Sequence, residues 1–424
     1  MNELAIKLNE TLGSAAEFLS PAGKRMYFPY GGILGQGAEA KTCGINATIG
    51  MAFEEDGSPL VMDCFKKSLG LDKKAFLYAG SFGLPKLREL WREMEFKKNP
   101  SLKGKTFSNP VVTNALTHGI RICAELFAGA DDTLVTPDLF WDNYELVCQE
   151  AVGCKVAHFN TFKKGAFDTE AMKKALLAEG EKKILILNFP NNPTGYTPSK
   201  EEALAIVEAV KEVAESGKKI LVISDDAYFG LFYEEETEKE SLFSRFADAH
   251  ENILAIKGDA ATKEEMVWGF RIGFITYAGK GLGPKELDAL EKKTLGAVRC
   301  TVSNCDRPGQ SLLKKGMKGS SYNKDKDHLF DTVGERYRVI KKTLEAYKDS
   351  TLLQPYPFNS GYFMAFDTMG RNAEELRLHL LSAYEVGAIN IMGRTLRLAY
   401  CSVEKENLED LVRIVYKAAE EIWS

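Results

Sequence analysis

Several features are missing from this 424-residue chain, and each absence closes off a class of function. No apolar run approaches the ~20 residues a membrane-spanning helix requires, so no membrane partner is expected. No block of lysine and arginine offsets the formal charge of -5, which leaves little to attract a nucleic-acid backbone. The eight cysteines, at 43, 64, 123, 148, 154, 300, 305 and 401, include no CxxC pair and lie mostly in apolar segments. That pattern predicts reduced thiols in a cytoplasmic protein. The opening stretch "MNELAIKLNETLGSAAEF" has no basic region followed by a continuous apolar core, so no secretory signal is expected in it. Internal repeats and low-complexity tracts are absent too.

What is present is an ordinary globular composition, 45% hydrophobic against 27% charged, in a chain long enough for two domains. From about residue 58 to 335, helical and strand-like segments alternate. "PLVMDCFKKSL", "LPKLRELWREMEF" and "HGIRICAELFAG" carry helical spacing, whereas "TLVTP", "KKILILNF", "KKILVISDDAY" and "NILAIKGDA" are short apolar runs ending in polar or turn residues. Strands separated by helices predict an α/β domain with a mostly parallel sheet, its polar strand ends gathered along one edge. The last part reads as α+β. "GERYRVIKKTLEAYK" and "NLEDLVRIVYKAAEEIW" are helical, and "GYFMAF" and "TLRLAYCSV" are strand-like. We therefore expect a large domain over 56–335 and a smaller one built from 1–55 and 336–424. "YEEETEKE" (233–240) reads as a solvated loop, and "GGILGQG", whose glycines are misplaced for a dinucleotide fingerprint, as a mobile loop near the mouth of a site.

The strand ends carry the chemistry. "NFPNNPTG" sets two asparagines between two prolines immediately after an apolar strand, a turn more elaborate than chain reversal needs. "ISDDAYF" ends a strand with Asp225 and Asp226, with Tyr228 close behind; no histidine or cysteine stands at ligand spacing, so no metal is expected. In "GDAATKEEMVWGFRIGF", Lys263 precedes Arg271 by eight residues. A buried lysine with a lowered pKa serves as a Schiff-base nucleophile, and a guanidinium grips phosphate through two N–H groups. "VVTNALTHGIRICAELF" ends a strand at Thr113 and Asn114 and starts a helix near Thr117, offering either an anion seat at the helix N-terminus or plain capping by Asn114 or Thr113.

Taken in order, "NFPNNPTG", "DDAY" and a lysine eight residues ahead of an arginine resemble the fold type I pyridoxal-phosphate aminotransferases, most closely the aspartate and aromatic subgroup. The resemblance implies a seven-stranded, mostly parallel sheet in the large domain and a homodimer with shared active sites. It also implies pyridoxal 5'-phosphate as cofactor. By resemblance, Lys263 holds the cofactor and moves the Cα proton, and Asp225 pairs with the ring nitrogen. Asn192 and Tyr228 match the groups that meet the cofactor's phenolic oxygen. Trp141, in "FWDNY", matches the aromatic stacked on the ring in a Trp-x-Asn-His pattern, although Tyr144 stands in place of the histidine and two extra residues follow Pro137. Arg271, Thr117, the N–H groups of Leu116 and Thr117, and Tyr78 of the second subunit match phosphate ligands. Ala260 replaces a common phosphate-binding serine, with Thr262 or water in its stead. Leu116 stands where glycine is usual.

For the substrate, the resemblance assigns the α-carboxylate to Arg397, with Arg394 as the alternative, assisted by the N–H of Gly50. Arg299, five residues ahead of Asn304 in "RCTVSN", matches the arginine that the neighbouring subunit supplies to a distal carboxylate. The implied activity is a ping-pong transfer of an amino group from an L-amino acid, aspartate or an aromatic one expected first, to a 2-oxo acid such as 2-oxoglutarate. Two alternatives stay open at this point: a lyase or decarboxylase using the same cofactor, and a binding protein that has kept the scaffold.

Overall fold

The computed structural model describes residues 1–29 and 31–424. Its centre is a seven-stranded sheet of β1 (Val111–Asn114), β2 (Thr133–Pro137), β3 (Lys155–Phe159), β4 (Lys182–Asn188), β5 (Lys219–Asp226), β6 (Ile253–Ala260) and β7 (Ile272–Gly279). The strand order is β1-β7-β6-β5-β4-β2-β3, and every pairing is parallel except the two made by β7.

The central strands read as unbroken apolar runs because both of their faces are covered. Ile184, Ile186, Leu221, Ile223 and Ile256 point into one core, while the alternate residues Leu185, Leu187, Ile220, Val222 and Ala255 fill the other. This period of two is the pleat of the strand expressed as packing. The register also aligns the carboxyl ends, with Asn188 opposite Asp225 and Asp225 opposite Gly258. A single helical turn, Ala261–Glu264, follows β6 at that edge.

A second, four-stranded antiparallel sheet lies towards the C-terminus, with Phe363–Asp367 and Thr395–Ala399 paired at its centre. The helix Leu408–Trp423 buries Leu411, Val412, Val415 and Ala419. Among the described residues, no helix is long and apolar enough to cross a membrane.

Four expectations need correction. "PLVMDCFKKSL" yields only the turn Asp63–Lys66, because Pro59 is drawn into a bridge with Phe53 and Gly70 follows closely. "GGILGQG" is no loop: Ile33–Glu39 is helical, fixed by Gln36, whose Nε2 donates to Asn390 O (3.0 Å) and whose Oε1 accepts from Asn390 N (2.7 Å). Strands β3 and β7 escaped the sequence reading, β3 because its residues are of mixed polarity at a sheet edge, β7 because glycines interrupt both of its ends. "YEEETEKE" is only partly solvated, since Thr237 and Glu238 are buried and Glu238 pairs with Arg245 at 2.9 Å.

The face of the sheet opposite the strand-end turn of "DDAY" holds a feature with no sequence signal. Lys257 is fully buried and pairs with Glu95 and Asp226 (both 3.2 Å) and with Asp259. Lys98 bridges Glu95 and Glu264 (both 3.1 Å), and Lys326 reaches Glu265 at 2.7 Å. Glu264 and Glu265 directly follow Lys263, so this network anchors the turn that carries the lysine. Removing one charge of such a set strands its partners in a low-dielectric interior. Replacing Lys257 with methionine is expected to lower unfolding stability by about 3–5 kcal/mol, measured by chemical denaturation; an unchanged midpoint would show that the network adds nothing.

Candidate active site

The turn after β4 explains its paired asparagines by dividing their labour. Asn191 is consumed within the turn: its Oδ1 accepts from Thr194 N (3.1 Å) and Thr194 Oγ1 (2.7 Å), and its Nδ2 donates to Leu139 O (3.2 Å). Asn192 is left to face outward from the strand edge, its N–H donating to Asn188 Oδ1 at 2.8 Å and its Oδ1 accepting from Arg397 Nη1 at 2.9 Å. The Phe189–Pro190 bond is cis. Gly195 closes the turn at φ +76°, where a Cβ would stand 1.9 Å from Phe363 O, so no larger residue fits between the turn and the C-terminal sheet.

Beside this turn lies a cavity of about 120 Å³. Leu116, Thr117, Trp141, Asn192, Asp225, Tyr228, Thr262, Lys263 and Arg271 all line it, nine of the positions named from sequence. Asp225 is buried at its inner end and makes no direct ion pair among the described residues; burial raises its pKa, opposed by the bond from Tyr144 and by Lys263. Asp226, one residue on, points through the sheet to Lys257, and burial pushes its carboxyl up to about 7. The two aspartates therefore share a sequence motif but no site.

Lys263 Nζ lies 4.7 Å from the Tyr228 ring centre and 6.0 Å from that of Trp141. Burial lowers its pKa to about 8, assisted by Arg271 and resisted by Asp225. Its backbone carbonyl accepts from Tyr362 Oη at 3.3 Å. A primary amine so placed is a nucleophile near neutral pH.

Another part of the cavity lining offers groups that suit an anion. Helix Ala115–Phe127 begins there, and no side chain caps its first N–H groups, which removes the plain capping alternative for Asn114 and Thr113. Ala115 adopts φ +65°, and Gly273 on β7 lets this turn approach: a Cβ there would sit 2.7 Å from Leu116 N. The same approach brings Arg271, which has no carboxylate partner among the described residues, to the helix start. Thr262 turns its hydroxyl to Ile272 O at 3.3 Å.

Arg397 is buried and makes no direct ion pair among the described residues, although Asp142 is close enough to act on its charge. Its Nη2 donates to Thr48 O at 2.7 Å, and its guanidinium lies 4.4 Å from the Phe363 ring centre. Gly50 stands nearby, a Cβ there falling 3.7 Å from Tyr228 Oη. Arg394, by contrast, is half exposed and paired with Asp138 at 2.9 Å. Arg299 and Tyr78 do not line the cavity of their own chain. Arg299 is exposed and bonded to Ser303, and Tyr78 is 86% exposed.

Three contributors were not foreseen. Tyr144 Oη donates to Asp225 Oδ2 at 2.5 Å. Asn188 Nδ2 donates to Asp225 O at 2.8 Å while its Oδ1 holds Asn192, clamping two strand ends together. Trp268 lines the cavity with an unbonded Nε1. Tyr144 was visible only as a departure from a motif, Asn188 as the last residue of an apolar strand, and Trp268 had no signal.

Comparison with known proteins agrees with this geometry. The chain is 25% identical over 361 residues to the putative aminotransferase YugH of Bacillus subtilis, covering 82% of this chain and 85% of that protein. It is 23% identical to an aspartate aminotransferase of Pyrococcus horikoshii, covering 81% and 83%. An aminotransferase structure from Anaerococcus prevotii superposes with a TM-score of 0.80 at 22% identity, over 99% of this chain and 97% of that one. The family described as aminotransferase class I and II matches residues 53–415, so the chain is an enzyme of that family, with its fold and its amino-group transfer.

Proposed function

We propose that this aminotransferase uses pyridoxal 5'-phosphate bound to Lys263 and works as a homodimer by a ping-pong cycle. The observation that carries the proposal is one cavity shared by a buried amine, a buried unpaired carboxylate and an unpaired guanidinium at an uncapped helix start. A flat cofactor with a cationic ring nitrogen at one end and a phosphate at the other fits that donor set. Asp225 would hold the nitrogen, while Arg271 and the N–H groups of Leu116 and Thr117 would hold the phosphate; Thr262 could join them only by turning its hydroxyl away from Ile272 O. When bound, the cofactor supplies a carbonyl that condenses with amines and a ring that accepts the electron pair released at Cα.

The chain's own residues do the rest. Lys263 Nζ, its pKa lowered to about 8 by burial, would take up and give back the proton at Cα. Asn192 and Tyr228 would hold the phenolic oxygen of the ring, and Trp141 would lie against it. Arg397 binds the α-carboxylate with the N–H of Gly50; Arg397 is favoured over Arg394 because it is buried and makes no direct ion pair among the described residues, whereas Arg394 is half exposed and paired with Asp138.

A dimer is supported by an exposed apolar strip, Phe76 (86%), Leu77 (61%) and Tyr78 (86%). The same surface holds Ser303, whose carbonyl accepts from Ser81, and Arg307, which donates to Tyr78 O at 2.6 Å. In this arrangement Tyr78 reaches the phosphate and Arg299 the distal carboxylate of the second subunit's substrate. That favours a dicarboxylic partner such as 2-oxoglutarate, with aspartate or an aromatic amino acid as donor. The division into 56–335 and 1–55 with 336–424 is retained as the functional one, joined by the unbroken helix Tyr322–Leu344. The eight unbridged cysteines suit a cytoplasmic location.

Substituting Lys263 by alanine is expected to abolish transamination in a protein that still folds; full activity in that variant would remove the amine from the chemistry. Substituting Arg299 by alanine is expected to weaken use of aspartate and glutamate by about 2–5 kcal/mol in kcat/KM, with neutral amino acids little changed. Equal losses for both classes would take Arg299 out of the substrate pocket.

A further inference from the structure

We propose that Tyr144 is a positioning residue that acts through Asp225: its phenol fixes the carboxylate as an anion aimed at the cofactor's ring nitrogen. The inference rests on the cofactor reading above. Its geometric basis is independent of any bound group.

Tyr144 is 1% exposed and lines the cavity. Its Oη donates to Asp225 Oδ2 at 2.5 Å, while Oδ1 accepts from Ala227 N at 3.1 Å and more distantly from Asn188 Nδ2 at 3.4 Å. Both carboxylate oxygens are thus held by neutral donors. Among the described residues, Lys263, Tyr144 and Tyr228 are the titratable side chains that interact with Asp225. The tyrosine is itself fixed: its N–H donates to Trp141 O at 3.0 Å, its ring meets the Trp141 ring edge-on at 5.6 Å, and Phe140 stacks beside it at 6.5 Å. One residue therefore sets both the carboxylate and the aromatic wall of the cavity.

The choice of phenol has a chemical consequence. Burial and the neighbouring Asp225 hold the Tyr144 proton on its oxygen far above the usual pKa. The phenol cannot ionise in the working range, and it cannot become a cation as an imidazole can. The charge of the pair stays on Asp225, where a protonated ring nitrogen is its natural counter-ion. Without the phenol, Oδ2 loses its donor in a buried site, the anion is disfavoured and the ring nitrogen loses its reason to stay protonated.

The test uses the full-length holoenzyme with cofactor labelled with nitrogen-15 in the ring, comparing the wild type with Tyr144→Phe and Tyr144→His. The ring-nitrogen shift is followed by NMR from about pH 6 to 9, around the range where such groups titrate. The wild type is expected to show a protonated nitrogen throughout, and Tyr144→Phe to lose that signal towards the alkaline end. With it, kcat should fall by about 10–100-fold while KM moves by less than about threefold. Tyr144→His, whose neutral imidazole restores a donor, should recover the protonated signal towards the alkaline end even if Tyr144→Phe folds poorly. A fully protonated ring nitrogen and near-normal kcat in Tyr144→Phe would overturn the inference, as would a Tyr144→His variant with no recovery. A wild type that gives no bound-cofactor signal would instead overturn the cofactor reading itself, and this inference with it.

Discussion

Asp225 is a carboxylate held inside the protein with no basic side chain in a direct ion pair with it among the described residues, and much of the architecture around it serves to make that tolerable. Burying such a charge is costly unless its lone pairs are satisfied. Four features supply that satisfaction. The strand register sets Asn188 beside it, the turn after β5 presents the Ala227 N–H, the segment after β2 delivers Tyr144, and Lys263 lies across the cavity. None of these is close in sequence to all the others; the parallel sheet brings them together because parallel strands end on the same side.

The same sheet separates two kinds of electrostatics. On the cavity side, Asp225, Lys263, Arg271 and Arg397 make no direct ion pairs among the described residues. Away from the cavity, Asp226, Asp259, Glu95, Glu264 and Glu265 are tied to Lys98, Lys257 and Lys326. Consecutive residues are assigned to opposite faces by the pleat, which is why "DDAY" contains one cavity-lining carboxylate and one paired with Lys257. Lys263 belongs to the first system, and the two glutamates after it belong to the second. Lys263 therefore faces the cavity from a turn whose next two residues are held by ion pairs.

Sequence made the large sheet and nine cavity residues legible because both depend on local signals: apolar runs of strand length, and motifs whose side chains sit at strand ends. Where those signals were weak, the reading failed. The edge strand β3 carries mixed polarity, β7 is bracketed by glycine, and the helix at Ile33–Glu39 is decided by a contact of Gln36 with Asn390, more than 350 residues away. The buried lysine network was invisible for the same reason, since each of its lysines reads as a surface residue until the fold removes it from water. Tyr144 lies between these cases. Its mismatch with a known pattern was legible, but only the 2.5 Å bond to Asp225 gives the mismatch a meaning.

The central claim is that the cavity holds a carbonyl cofactor on Lys263 and exchanges it between amino donors and oxo-acid acceptors. The most direct measurement is the absorption spectrum of the purified protein between about 300 and 500 nm, where a lysine-bound carbonyl cofactor absorbs, recorded before and after aspartate, glutamate and tyrosine are added in turn. The account predicts a visible band that bleaches with at least one donor and returns with a 2-oxo acid. A protein that stays colourless after incubation with pyridoxal phosphate would contradict it.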